Sequence, residues 1–451
     1  MLTRAEELLL TFYGDDVTGS TDALEAAALA GVRSVLFLSP PSPEQLRRYP
    51  GVRVVGVAGD SRSRSPQWMD ANLPQVFQAL KALGAPLCHY KTCSTFDSSP
   101  AVGNIGRAIE IGIACFGSPV PVIVGVTRHR RFVVFSNLFA AASVAGTEDV
   151  YRIDRHPTMS RHPVTPMDEA DLRLHLARQT TRRIAGFDFA QMSAADAPAS
   201  LAAQAAEILI LDTFDSATTL RTGALLAQLA AERQIFAAGS SGVEYAFFDH
   251  LKAEGKLSAT ASPAPGGPAS KIVAVYGSCS PVSEHQIAWA ENNGMAVIAA
   301  DTAAMVANGA AAEAACVTGM AEALSRSSGV VLCTARGPND PRITQTRAAL
   351  ERAGYGPNDS SRFLGEGLGR VLRQVLARTG TRRAALAGGD SSSHALPQMG
   401  IEALEMAAPL VPGAPLCRVY AEDRRLDGTE IVLKGGQAGE ADFLGRLIAG
   451  Y

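Results

Sequence analysis

Short apolar runs ending in Gly, Asp, Ser or Thr, each followed by a stretch with helical spacing, recur along the first half of this chain. Residues 34–38, 52–58, 86–90 and 120–126 are such runs, while 66–83 and 101–116 are helical in pattern. That βαβ rhythm leaves room for little besides a parallel sheet with helices on both faces. A helix over 168–180 precedes two more strand–helix pairs, 207–211 with 218–231 and 234–238 with 243–252. Residues 256–270 are then rich in Ala, Ser, Pro and Gly, the composition of a flexible linker. A second α/β rhythm starts at Lys271, with strands over 272–276, 297–300, 330–334, 384–387 and 430–433 and a long helix over 361–378. The expected fold is therefore two α/β domains, residues 1–255 and 271–451, joined by a linker over 256–270. Each should hold a mostly parallel sheet flanked by helices, with the active site in the cleft between them.

Composition narrows the function classes. With 451 residues, 47% hydrophobic and 19% charged, the chain can bury substantial cores and is not disordered. A net charge of -3 argues against nucleic acid or an anionic membrane as partner. No uninterrupted apolar segment could span a bilayer, and Glu6 and Glu7 before a very short apolar run do not make a signal peptide. Seven scattered Cys without a Cys-x-x-Cys pair read as reduced thiols of a cytoplasmic protein, and no Cys/His spacing fits zinc.

Chemistry concentrates in the loops that follow the strands. Phe12-Tyr13-Gly14-Asp15-Asp16-Val17-Thr18-Gly19-Ser20-Thr21-Asp22 runs from an apolar stretch into a helix, with two adjacent carboxylates at the junction. It reads either as an ordinary capping turn, with Ser20 or Thr21 as cap and Glu25 completing a capping box, or as an active-site loop. Adjacent like charges favour the second, since they need a metal, a cation or a polar substrate. Two later loops fall on the same sheet edge, Gly59-Asp60-Ser61-Arg62-Ser63-Arg64 and Lys91-Thr92-Cys93-Ser94-Thr95-Phe96-Asp97-Ser98-Ser99. Carboxylates, guanidinium, ammonium and hydroxyls in one crevice suit a small, polyhydroxylated anion, whose carboxylate Arg62 or Arg64 could hold. Between Arg128 and Pro166 the rhythm breaks into an irregular segment rich in Arg and His. It reads as a lid or rim lending charge to the anion, or as a plain surface loop; a metal role for His156 and His162 lacks a third ligand.

The second half carries glycine-rich loops. Gly277-Ser278-Cys279-Ser280, Gly388-Gly389-Asp390-Ser391-Ser392-Ser393-His394 and Lys434-Gly435-Gly436 each follow a strand. Backbone amides in such loops bind phosphate oxygens. No Walker-type run occurs, and no Gly-x-Gly-x-x-Gly follows the first strand of either half, so neither a P-loop protein nor a dinucleotide dehydrogenase is expected. Gly365, Gly367 and Gly369 weaken the long helix by about 1 kcal/mol each, so a ligand or another helix must come close there.

Taken together these motifs resemble the two-domain four-carbon acid sugar kinases. Gly14 to Gly19 and Lys91 to Ser98 look like that family's substrate-domain signatures; Gly277 to Ser280, Gly388 to Ser392 and Leu433 to Gly436 look like its nucleotide-domain signatures. Two departures stand out: His394 replaces a small residue of the nucleotide loop, and residues 152–166 are worded more like a divergent branch that includes 3-oxo-isoapionate kinases. The resemblance implies ATP-dependent phosphorylation of the terminal hydroxyl of a small anionic sugar acid, such as 3-oxo-isoapionate, a 3-oxo-tetronate, threonate or erythronate. Under it, Asp16 is the base or orienting group and Asp15 fixes substrate hydroxyls. Arg62 and Lys91 bind the carboxylate, aided by Ser94 and Thr95. Ser278, Gly365, Gly388, Gly389, Asp390, Ser391 and Gly435 line the ATP site, Asp390 holds Mg²⁺, and the domains close around the substrates. A homodimer is compatible with this reading. The rivals are a non-kinase sugar-acid enzyme and a two-domain sugar-acid sensor, which nucleotide-dependent stabilisation and an ADP-release assay would separate.

Overall fold

The computed structural model describes residues 7–144, 147–162, 164–194, 196–258, 263–356 and 359–451. The chain forms two compact units. The amino-terminal unit takes Met1–Asp15, Ala26–Val35 and Ser39–Ser262; the carboxy-terminal unit takes Asp16–Glu25, Leu36–Leu38 and Pro263–Tyr451. No described helix is long and apolar enough to cross a membrane.

The strands of the first part of the chain are β1 (Leu10–Gly14), β2 (Ser34–Phe37), β3 (Val54–Ala58), β4 (Leu87–Lys91), β5 (Val120–Ile123), β6 (Arg131–Val134), β7 (Asn137–Val144), β8 (Thr147–Arg152), β9 (Ile184–Phe187), β10 (Ile208–Leu211) and β11 (Ile235–Gly239). In the amino-terminal unit they assemble in the order β3-β1-β4-β11-β5-β10-β9, every neighbour parallel. β1, β3, β4 and β11 are buried along their whole length, as strands covered on both faces must be. Helix Pro66–Ala82 shows how the covering layer is written. Ser65 caps it by accepting from the Trp68 amide, Pro66 opens it, and Met69, Leu73, Phe77 and Leu80 form its buried stripe. Each such apolar side chain contributes about 1.5–3 kcal/mol on burial.

The break over 128–166 is not a loop. β6, β7 and β8 form a small antiparallel sheet, followed by two 3-10 turns. Pro163 lies outside the described residues. The helix expected over 168–180 is only Leu172–Ala177, because Asp171 caps it by accepting from the Arg173 amide. Likewise Ile105–Phe116 starts four residues late, behind Gly103 at φ 61 and the Asn104 cap.

The carboxy-terminal unit adds β12 (Ile272–Tyr276), β13 (Ala296–Ala299), β14 (Gly329–Cys333), β15 (Arg383–Ala387), β16 (Ile401–Val411), β17 (Ala414–Ala421) and β18 (Glu430–Lys434). The order β13-β14-β12-β15-β18 is parallel, and β17 and β16 continue it antiparallel. Leu36 and Phe37, the end of β2, pair with Leu404 and Ala403 of β16 inside this unit. Of the expected linker, 259–262 lies outside the described residues. Its later part is pinned rather than loose: the Gly266 and Ala269 amides donate to the Gly450 and Ile448 carbonyls at 2.8 Å each.

Candidate active-site residues

In the amino-terminal unit the site is built on strand ends. Gly14 of β1 stands level with Ala58 of β3 and Lys91 of β4, and Lys91 with Gly239 of β11. The loops therefore leave the sheet side by side and are tied by backbone bonds. The Asp15 amide donates to the Lys91 carbonyl (2.8 Å), the Arg62 amide to the Asp15 carbonyl (3.0 Å) and the Thr92 amide to the Gly239 carbonyl (2.6 Å). Gly59 has no room for a side chain, since a Cβ would stand 2.0 Å from the Tyr13 ring. The loops that carry Asp15, Arg62 and Lys91 are thus adjacent, Thr95 is linked to Arg62 through Asp97, and Ser94 lies half-buried in the same loop as Thr95.

Their chemistry differs from expectation in one respect. Arg62 Nη2 donates to both oxygens of Asp97, at 3.0 and 2.8 Å, so a carboxylate of the chain already engages the guanidinium. Asp97 is buried and also accepts from the Thr95 hydroxyl (2.5 Å) and the Thr165 hydroxyl (3.1 Å). Burial by itself raises its pKa, but the Arg62 charge and the Thr95 hydrogen bond outweigh that and hold the carboxyl below its ordinary value. Thr165 is in turn held by His162, whose Nδ1 accepts from the Thr165 amide at 3.1 Å. The irregular Arg/His segment therefore reaches the loop after β4 through Thr165. His156 is engaged elsewhere, with Nδ1 accepting from the Thr158 and Met159 amides at 3.3 and 3.2 Å and Nε2 3.4 Å from the Ala141 carbonyl of β7. Phe96 holds the loop in shape: it is fully buried, at φ 57, in a left-handed conformation that packing must enforce.

Lys91 is 1% exposed, and its ammonium donates to the Thr92 carbonyl at 2.9 Å. Asp16 belongs to the other unit. Its Oδ1 accepts from the Gly19 amide at 2.5 Å and its Oδ2 from the Thr18 hydroxyl at 3.1 Å, at the start of helix Val17–Leu29. The expected cap at Ser20 or Thr21 is thus one turn too late, and those hydroxyls donate instead to the Asp16 and Thr18 carbonyls. Glu25 completes no capping box; it accepts from the Gly413 amide at 2.6 Å.

The three glycine-rich loops of the carboxy-terminal unit also leave adjacent strand ends, since Tyr276, Ala387 and Lys434 are in register across β12, β15 and β18. They touch closely. A Cβ at Gly277 would stand 2.2 Å from Ser391 Oγ, and one at Gly436 2.4 Å from Ser278 Oγ. The Ser280 hydroxyl donates to the Gly436 carbonyl at 2.6 Å. Gly388, at φ 125, turns the chain into helix Gly389–Ala395, which carries Asp390, exposed, and Ser391, buried. Gly435 faces open space, as a residue does where a ligand's phosphates can approach the backbone. Gly365 has a different job: a Cβ there would meet His394 Cβ at 2.7 Å, so its missing side chain admits the helix that carries Asp390 and Ser391. Gly389 lies beside the acidic loop of the same unit, where a Cβ would stand 3.9 Å from Asp16 Oδ2 and 3.8 Å from Thr18 Oγ1. A Cβ at Gly388 would stand 3.1 Å from the Ser278 nitrogen and 3.4 Å from Ser391 Cβ, so these three residues are packed together, while Gly389 is the one placed beside Asp16, and Asp390 and Gly435 adjoin Gly389 and Gly436 in the chain.

Asp97, Thr165 and Lys434 were not singled out from the sequence. Asp97 and Lys434 stand inside quoted motifs, so their positions were available; nothing in the sequence ties Thr165 to Asp97, 68 residues away.

Two family models match the chain. The family model described as "Sugar-binding N-terminal domain" matches residues 10–247, and "Nucleotide-binding C-terminal domain" matches 273–444. The chain is 47% identical to a 3-oxo-isoapionate kinase of Paraburkholderia graminis, covering 98% of this chain and 94% of that protein. It is 30% identical to a 3-oxo-tetronate kinase of Methylobacterium radiotolerans, covering 98% and 99%. A crystal structure from Haemophilus influenzae shares the fold, with TM-score 0.66 and 19% identity over 97% of this chain and 98% of that one.

Proposed function

Because the chain belongs to the four-carbon acid sugar kinases, two-domain enzymes with a sugar-binding and a nucleotide-binding domain, we propose that it phosphorylates the terminal hydroxyl of 3-oxo-isoapionate with ATP. The protein is a sugar-acid kinase; the choice of acid rests on the 47% identity to a kinase of that name, against 30% to a 3-oxo-tetronate kinase. The placement of Asp16 beside Gly389 carries the mechanism, since it sets a carboxylate next to the loop that would bind the polyphosphate.

Phosphoryl transfer needs positioning and charge neutralisation more than covalent chemistry from the protein. Asp16 accepts the proton of the acceptor hydroxyl or orients it. Two donors, the Gly19 amide and the Thr18 hydroxyl, hold its carboxylate in place. Arg62, aligned by Asp97, and Lys91 fix the acid's carboxylate; Asp15, Ser94 and Thr95 take its hydroxyls. The amides of Gly389 and Gly435, with Ser278 and Ser391, hold the nucleotide phosphates; Gly388, whose amide donates to the Lys434 carbonyl at 2.9 Å, turns the chain into that helix, and Gly365 keeps the helix in place. Mg²⁺, which neutralises charge on the transferred group, fits Asp390: one exposed carboxylate beside a phosphate cradle is the donor set this ion takes, the phosphates and waters completing its shell. Use of ATP is consistent with work in the cytoplasm, where ATP is made.

Asp16→Asn tests the assignment. The amide oxygen still accepts from Gly19 and Asn still caps a helix, so the thermal midpoint should hold while kcat falls about a hundredfold or more and ADP affinity stays. Wild-type turnover by this variant removes Asp16 from the chemistry. An ADP-release screen over 3-oxo-isoapionate, 3-oxo-tetronates, threonate and erythronate tests the substrate; 3-oxo-isoapionate should give the highest kcat/KM.

A further inference from the structure

The three glycine-rich loops, 277–280, 388–394 and 435–440, hold Asp390 and Glu440 but no Lys or Arg. A polyphosphate bound there meets two carboxylates and, within the loops themselves, no permanent cation. The nearest basic residue in sequence is Lys434, the last residue of β18.

Lys434 is 0% exposed. Its Nζ donates to the Gly435 carbonyl at 3.0 Å and stands 5.5 Å from the centroids of both the Tyr276 and the Phe443 rings. Among the described residues no carboxylate lies within ion-pair distance of it. Its surroundings are built around the same loop. The Tyr276 hydroxyl donates to Gln286 Oε1 at 3.1 Å, and Gln286 Nε2 reaches the Ala438, Gly439 and Glu440 carbonyls at 3.0 Å each. The loop that leaves Lys434 is thereby held at four carbonyls, one by the ammonium and three by Gln286. A buried charge without a counter-charge is costly, and a chain retains one where a ligand brings the missing charge. Two aromatic faces offset part of that cost.

We propose that Lys434 is the fixed positive charge of the nucleotide unit. Its ammonium, bonded to the Gly435 carbonyl, attracts the polyphosphate and sets the loop that receives it. It acts through the loop, as a positioning residue. This rests on the reading that the carboxy-terminal unit takes ATP. Burial pulls the Lys434 pKa down to about 8, so at neutral pH the group is still charged, at a cost to the ligand-free fold.

The test compares ADP, ATP and adenosine by calorimetry, on wild type, Lys434→Met and Lys434→Gln. Met is unbranched and fits between two rings; Gln supplies a polar alternative should Met repack the loop. The expected result is ADP and ATP affinity weakened about tenfold or more, with adenosine changed less than twofold. The ligand-free thermal midpoint of Lys434→Met should equal or exceed wild type, since an unpaired buried charge is gone. A purely structural role predicts the opposite pattern: a lower midpoint and equal losses for all three ligands, which overturns the proposal. Unchanged ADP affinity in both variants also overturns it. Wild-type protein that binds none of the three overturns the nucleotide reading itself, and this inference with it.

Discussion

Arg62 and Asp97 show what residue types can and cannot say. An Arg in a loop at the carboxyl end of a parallel strand reads as a carboxylate binder, and it is one, but the carboxylate the structure gives it is Asp97. That pairing spans 35 residues and depends on Phe96 turning the loop at φ 57, which no local pattern announces. Asp97 is therefore the residue that aims Arg62, with Thr95 and Thr165 completing its acceptors. Asp97→Asn keeps the shape but drops the charge, and should cost about 1–3 kcal/mol of stability. KM for the sugar acid should rise about tenfold or more while KM for ATP stays; equal rises in both would mean general damage to the fold. Asp15, Asp16 and the glycines were legible because their chemistry lies in loops next to strands, where spacing alone places them. Lys434 was not, because a strand-terminal lysine ordinarily points to water.

Among elements, the parallel strands were the readable part. β12 was expected over the residues it occupies, β15 and β18 within one residue at one end, and β14 one residue later than it lies. Continuous apolar runs leave little choice once helices must cover both faces. β16 and β17 went unread. Glu402-Ala403-Leu404-Glu405-Met406-Ala407-Ala408 favours a helix by propensity, and pairing with β17 and with the end of β2 makes it a strand. The helix Asp359–Thr379 shows the reverse. Its glycines were noticed, and the structure supplies the reason: Gly365 and Gly369 admit helix Gly389–Ala395, with a Cβ at Gly369 only 2.2 Å from the Ala395 carbonyl. Gly367 faces elsewhere, toward Met305. Gly369→Val should thus push the shorter helix away, costing about 2–3 kcal/mol by thermal or urea denaturation. Because that helix carries Asp390 and Ser391, ADP affinity should fall as well; unaltered ADP binding in a destabilised variant would detach the helix from the nucleotide site.

For the whole molecule, two α/β bodies with mostly parallel sheets could be read from rhythm and composition, and a break near 256–270 looked like the place where one ends. The chain is less orderly than that. Asp16–Glu25 and Leu36–Leu38 belong to the carboxy-terminal unit, although more than two hundred residues separate them from the rest of it. Composition carries no trace of such an excursion, because the Asp16–Glu25 segment is an ordinary helix start and Leu36–Leu38 an ordinary strand end. Glu25 accepts from the Gly413 amide and Leu36 and Phe37 extend the edge at β16.

A protein laid out this way cannot be divided with one cut. Expressed alone, residues 263–451 would lack the acceptor for Gly413, the edge partner of β16 and the Asp16 loop beside Gly389. Such a fragment should unfold at lower urea than the same unit in the intact chain, and a synthetic peptide of residues 16–38 should restore part of the difference when added in trans; a fragment as stable as the intact unit would show that these insertions contribute nothing. During synthesis the same layout imposes a wait. The ribosome releases the first pieces of the nucleotide unit early, and they have no partner until the end of the chain appears. Evolution is held by it too: an ancestral exchange of the carboxy-terminal half between relatives would have had to match two short stretches near the amino terminus, so the halves of this enzyme are expected to have travelled together.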